Sequence, residues 1–233
     1  TLTNIANDDF VFGSPALDDD GNVDHDKRFF FDKSKNAFRA GFSPSTDWDE
    51  SNRGQHSFGV GHSGIASGEF AVTMGQFNTA SGNNSVAIGD SNQATGDFSF
   101  AFGRGSDSPS YGEISIGLYP IEYTPIWTDN FREEDRLFTI GNGTSTTDRS
   151  NALVMYKDGS TTLYGELTLD GGTDSYTFPI NDGINGQVLT TDGNGNTFWN
   201  VNSAINTDNQ KIDELNLNGT TLEISLENDG EPV

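Results

Sequence analysis

The chain has 233 residues, and its 12 Lys and Arg stand against 35 Asp and Glu, a formal net charge of −23. That balance excludes nucleic acid and anionic membrane surfaces as partners, because both repel a surface of their own sign. The sequence has no cysteine, which excludes disulfides, thiol nucleophiles and thiolate metal centres.

High acidity with low hydrophobicity can mark a disordered chain, but 28 glycines and 17 phenylalanines in a strict period argue for a solvated β-structure. Residues 1–36 read as an acidic entry segment. Within it, LDDDGNVDHD (17–26) sets Asp18, Asp20, Asn22 and Asp24 at alternating positions, the spacing of the first oxygen ligands in a calcium loop. The match is partial, since Gly21 stands at the fourth position instead of the sixth and no Glu fills the twelfth. These four residues are the candidate calcium ligands, the competing reading is a solvated acidic turn, and no other cofactor is suggested.

Residues 37–149 carry the decisive pattern. Gly61, Gly75, Gly89, Gly103 and Gly117 fall fourteen residues apart and close the phrases SFGVG, AVTMG, SVAIG, SFAFG and SIG. A short fixed period means one unit stacked on copies of itself. Fourteen residues suffice for two short strands and two tight turns, one coil of a parallel β-roll. Phe58, Val72, Val86, Phe100 and Ile114 share one register position, and Val60, Met74, Ile88, Phe102 and Ile116 share another. The residues between them are Gly59, Thr73, Ala87, Ala101 and Ser115. This alternation predicts a strand with one apolar face, and the apolar columns are expected to fill the core of the roll. Gly68, Gly82 and Gly96 follow in A-S-G or A-T-G and are expected to turn the chain at positive φ. The row His62, Gln76, Asp90, Arg104 is polar and is placed outside, with Asp90 above Arg104.

AFRAG (37–41) and RLFTIG (136–141) match the phrase, so Gly41 and Gly141 mark the outer coils. The steps from Gly41 to Gly61 and from Gly117 to Gly141 are longer than fourteen, which places insertions at 42–53 and 118–135. Both carry aromatics: Trp48 in the first, and Tyr119, Tyr123, Trp127 and Phe131 in the second. Loops on a rigid scaffold are where binding concentrates, so these five are the candidate ligand-contact residues. The competing reading is that they cap the open ends of the roll or pack against the neighbouring chain.

Residues 150–200 read as a β-rich module, with a turn at Lys157-Asp158-Gly159 and several Asn-Gly and Asp-Gly turns. Residues 201–210 are a polar linker. Within 201–233, DELNLNGTTLEISLENDG alternates apolar residues around Asn218-Gly219, a hairpin signal. The chain is expected to be a fragment of a longer protein. It holds no G-x-S-x-G, Walker loop, H-E-x-x-H or Cys/His spacing, so an enzyme is not expected. No apolar run reaches the length of a membrane span.

NSVAIG (84–89), repeated every fourteen residues with A-S-G or A-T-G between the phrases, resembles the head repeat of YadA-like trimeric autotransporter adhesins. The resemblance spans about Ala37 to Gly141. It implies a left-handed parallel β-roll in a homotrimer, an extracellular location on a bacterial surface or fibre, and adhesion to a surface receptor or glycan. The same repeat occurs in secreted bacterial surface proteins and in fibres of phages and injection devices, so a receptor-binding tail fibre is the alternative. A glycan hydrolase on a trimeric β-scaffold is the more distant one.

Overall fold

The computed structural model describes residues 9–172, 175–201 and 212–226. Apart from three 3-10 turns, every regular element in them is a strand. They form two compact units that divide between Tyr164 and Gly165.

The first unit holds β1 (Phe10–Phe12), β2 (Lys27–Asp32), β3 (Ala37–Phe42), β4 (Phe58–His62), β5 (Ile65–Ala66), β6 (Val72–Gln76), β7 (Thr79–Ala80), β8 (Val86–Asp90), β9 (Gln93–Ala94), β10 (Phe100–Arg104), β11 (Asp107–Ser108), β12 (Ile114–Leu118), β13 (Arg136–Asn142), β14 (Asn151–Tyr156) and β15 (Thr161–Leu163). The long strands form one eleven-stranded sheet in the order β1-β2-β3-β4-β6-β8-β10-β12-β13-β14-β15. The short strands form a second, four-stranded sheet, β11-β9-β7-β5. From β3 to β13 every neighbour in the long sheet is parallel, and each marker glycine pairs with the next, from Gly41 to Gly141. Residues 58–118 are thus a β-solenoid of about four fourteen-residue turns, the predicted roll. It is flanked by antiparallel pairs, β1-β2-β3 on one side and β13-β14-β15 on the other. The first unit therefore runs past residue 149, because β14 and β15 extend the long sheet.

The marker glycines are needed for contact between coils. Gly89 sits at φ +126°, and a Cβ there would lie 2.0 Å from the Gly103 carbonyl oxygen. The second glycines correct the expectation. Gly68, Gly82 and Gly96 do not have positive φ; a Cβ on Gly82 would instead lie 2.1 Å from the Gly96 carbonyl oxygen. The left-handed corners fall on other residues: Phe70, Asn84 and Phe98 at one bend, and Ser63, Phe77 and Ser91 at the other.

The apolar columns do not fill the core either. Thr73, Ala87, Ala101 and Ser115 are buried, whereas Phe100 is 47% and Phe102 57% exposed. The interior of the coils is filled by small side chains instead, Ala66, Ala71, Ala80, Ala87, Ala94 and Ala101. Beside them stands a polar ladder. The Asn92 amide Nδ2 donates to Ile88 O and Gly103 O, each at 2.9 Å, and Asn78 Nδ2 donates likewise to Met74 O and Gly89 O. These bonds satisfy backbone carbonyls at the bend.

The second unit contains three antiparallel hairpins: β16 (Thr168–Asp170) with β17 (Ser175–Thr177), β18 (Gln187–Thr191) with β19 (Thr197–Val201), and β20 (Ile212–Asn218) with β21 (Thr221–Leu226). The last pairs Asn218 with Thr221 across Gly219, as predicted. The predicted linker lies, but for Val201, outside the described residues.

Candidate functional site

Two surfaces of the first unit stand out. One is the outer face of the long sheet, where the two apolar columns stand in register. Phe58, Met74, Phe100, Phe102 and Ile114 are exposed there, and the Phe38 and Phe58 rings stack at 5.2 Å. An aligned exposed apolar face of this length is unusual on a chain this acidic.

The other surface is the side of the roll bearing the second insertion. Both insertions leave the chain where the other coils carry their short strand, after β3 and after β12. In the second, the backbone N–H groups of Ile126 and Trp127 donate to the buried Asp135 carboxylate at 2.7 and 3.1 Å. The Tyr123 hydroxyl donates to Glu113 Oε2 at 3.2 Å and accepts from the Arg136 N–H, while the Arg136 guanidinium lies 4.1 Å from the Tyr123 ring centre. Arg149 pins the base of the loop, donating to Gly105 O and Pro120 O at 3.0 and 3.1 Å. Against this frame lies an open groove of about 220 Å³ lined by Gln93, Thr95, Asp107, Pro109, Glu122 and Tyr123. Arg149 also pairs with Asp107 and Glu122 at its edge. Burial pushes the Asp107 carboxyl up to about 6 and the Glu113 carboxyl up to about 7.

The YadA head domain repeat matches this chain in two copies, at residues 66–92 and 80–106. This stretch is a YadA-like head. No curated protein and no solved structure matches the chain. Among the described residues of the head and its flanks, no helix is long and apolar enough to cross a membrane.

Of the five predicted contact residues, the first unit exposes Trp127 and Phe131, and the Arg132 guanidinium lies over the Trp127 ring. Tyr123 lines the groove, and Tyr119 packs at its ring edge against Gly105. Trp48 is a correction. It is fully buried, with its Nε1 donating to Gly64 O at 3.0 Å, its ring against Phe30 and Arg28 above it. It plugs the open end of the roll over Gly64, so the first insertion offers it to no ligand. Arg53 clamps the same end, binding Asp32, Asp18 and Glu50.

Nor does the fold gather the predicted calcium ligands. The Asp18 carboxylate is taken by Arg53 at 2.6 Å. Asp20 pairs with His25 at 2.8 Å, and that hydrogen bond holds its carboxyl below the ordinary value. Asn22 caps the turn Val23–His25 by accepting from the Asp24 N–H. Among the described residues no three His, Asp or Glu side chains are grouped to hold a metal. The Asp90–Arg104 pair forms as expected, at 3.0 Å.

Glu113 and Arg149 escaped the sequence reading. For Glu113 a signal was present, because it occupies the register of Ser57, Ala71, Ser85 and Ser99, the small residues of the four preceding coils.

Proposed function

We propose that this chain is a structural and adhesive head segment of a homotrimeric extracellular fibre, which holds a surface receptor or glycan on the side of the second insertion and performs no catalysis. The observation that carries the assembly is the inversion of the roll. Its interior is already filled by alanine, serine and asparagine, so the large apolar side chains can leave water only against other chains. Burying each Val, Ile, Phe or Met fully is worth about 1.5–3 kcal/mol, and half-exposed columns forgo much of that. Closed symmetry is the ordinary way for identical faces to cover one another, and the YadA head repeat supports three chains. Exposed Trp127 and Phe131 of the second insertion, and the polar groove that Glu122 and Tyr123 of the same insertion line, supply the flat apolar and hydrogen-bonding surfaces that a sugar ring or peptide uses.

Light scattering of the whole chain tests the assembly. The expected mass is three times 25.1 kDa, about 75 kDa, and a stable monomer at micromolar concentration would refute it. A glycan array probed with wild type and Trp127→Ala tests the binding side. Bound glycans that the variant releases, with its melting temperature unmoved, support the assignment; equal binding by both proteins refutes it.

A further inference from the structure

The apolar columns do not stop where the repeat stops. Followed through the strand register, the first runs Phe10, Phe31, Phe38, Phe58, Val72, Val86, Phe100, Ile114, Phe138, Met155 and Thr161. The second runs Phe12, Phe29, Ala40, Val60, Met74, Ile88, Phe102, Ile116, Ile140, Leu153 and Leu163. Neither column contains a charged residue, although 20% of the chain is charged. The antiparallel flanks are unrelated to the repeat in sequence, yet they continue its outer face. They do so while burying their opposite side: Phe30 and Asp32 of β2 and Arg39 of β3 are fully enclosed.

We propose that the contact between copies of this chain extends over the full width of the eleven-stranded sheet, with β1–β3 and β14–β15 packed against the other copies as the roll is. The inference rests on the homotrimer reading above and deepens it. Three observations favour further copies of this chain as the occupant. The flanking columns are continuous with the roll's face. A chain of charge −23 meets itself more readily across rows that carry no carboxylate, and neither apolar column holds one. The face is also of the right size, since ten inter-strand steps of about 4.8 Å give a length of about 48 Å, and two residues per strand reach the roughly 20–30 residues a side of a stable interface. The aromatic group Phe10, Phe12, Phe29 and Phe38, with ring centres 4.9 to 6.2 Å apart, has the composition of an interface anchor.

The absence of cysteine makes the test direct. Phe12→Cys, Leu163→Cys and Val86→Cys each introduce a single thiol, on the N-terminal flank, the C-terminal flank and the roll. Val23→Cys places one on an exposed turn off the face. A short bis-maleimide should convert the first three, and not Val23→Cys, to covalent dimers. In parallel, Phe12→Asp should raise the dissociation concentration of the assembly by roughly thirtyfold or more. Cross-linking at Val86→Cys alone, with Phe12→Asp still fully assembled, overturns the extension and leaves the trimer standing. A monomeric wild type, together with no cross-linking by any of the cysteine variants, overturns both. If Phe12→Asp fails to fold, the cysteine variants decide.

Discussion

Asn92 bonds to Asn78 one coil away: its backbone N–H and its Nδ2 both donate to the Asn78 Oδ1, each at 3.0 Å. The Asn92 Oδ1 in turn accepts from the Ser106 N–H at 2.9 Å. One side chain thus serves the bend of its own coil and those of both neighbours. Asn92→Ala leaves Ile88 O, Gly103 O and Ser106 N–H buried without this partner, at about 1–3 kcal/mol each when unmet. We expect a loss of about 3 kcal/mol or more in denaturant unfolding, and Asn92→Ser to recover part of it.

Trp48 and Trp127 should behave oppositely. Trp48 is enclosed at the end of the roll and Trp127 is 40% exposed on the second insertion. Trp48→Ala opens a cavity and should cost about 3–5 kcal/mol, whereas Trp127→Ala should leave the melting temperature within a degree or so of wild type. Differential scanning calorimetry of both variants checks the contrast.

Glycines at two sites should differ as sharply. Gly89→Ala drives a Cβ into the carbonyl of Gly103 at 2.0 Å, which backbone cannot yield, so the variant should fail to fold. Gly112 sits at φ +66° with nothing within 4 Å of an added Cβ, and the equivalent left-handed residues are Phe98 in the neighbouring coil and Asn84 in the coil beyond it. Gly112→Asn should cost about 1 kcal/mol or less. Circular dichroism melts of the two variants separate these outcomes.

Glu113 should make the lower end of the roll sensitive to pH. Burial raises its carboxyl from the ordinary 4.5 to about 7, although the Ser110 N–H, Arg136 and Tyr123 all favour the charged form. Thr139 approaches its other oxygen at 3.5 Å, and the neighbouring Lys157, which bonds Ser110 Oγ, is itself lowered by burial. The folded state holds the proton more tightly than the unfolded one. The stability from this group is therefore complete below about pH 4.5 and is lost as pH rises through about 7, a change of about 3 kcal/mol. Glu113→Gln keeps the neutral shape, so its melting temperature should fall less than that of wild type between about pH 5 and about pH 8. Equal falls would contradict the assignment.

The register of the roll was legible because glycine spacing records contact between coils directly. Which face points inward was not. Alternation of Phe100, Ala101 and Phe102 says only that neighbours face apart, and in most sheets the large apolar side would be the core. Here the small Ala101 is the buried one, because a second sheet of short strands covers its side, and that sheet is not written in the strand itself. Nothing in the sequence singled out Asn78 and Asn92, because an asparagine that bonds the backbone of three coils has the same local sequence as one that bonds water. Phe70, Phe77 and Phe98 hold left-handed corners that their bulk would argue against. The contact loop was half legible. Its aromatics announced it, but Trp48 could be assigned to the interior only once the open end it covers was known.

Gly-on-Gly stacking has a consequence for how such a head can change in size. Removing residues 76–89 would join Gly75 to Asp90, as Gly89 is joined now, and would leave every remaining row complete. Removing thirteen or fifteen would set side chains against the carbonyls that now meet glycine and would swap the inward and outward rows. Length in this fold is therefore quantised: it changes by whole coils, in steps of about 4.8 Å, and a lineage that gains or loses reach can do so only by duplicating or deleting a complete unit.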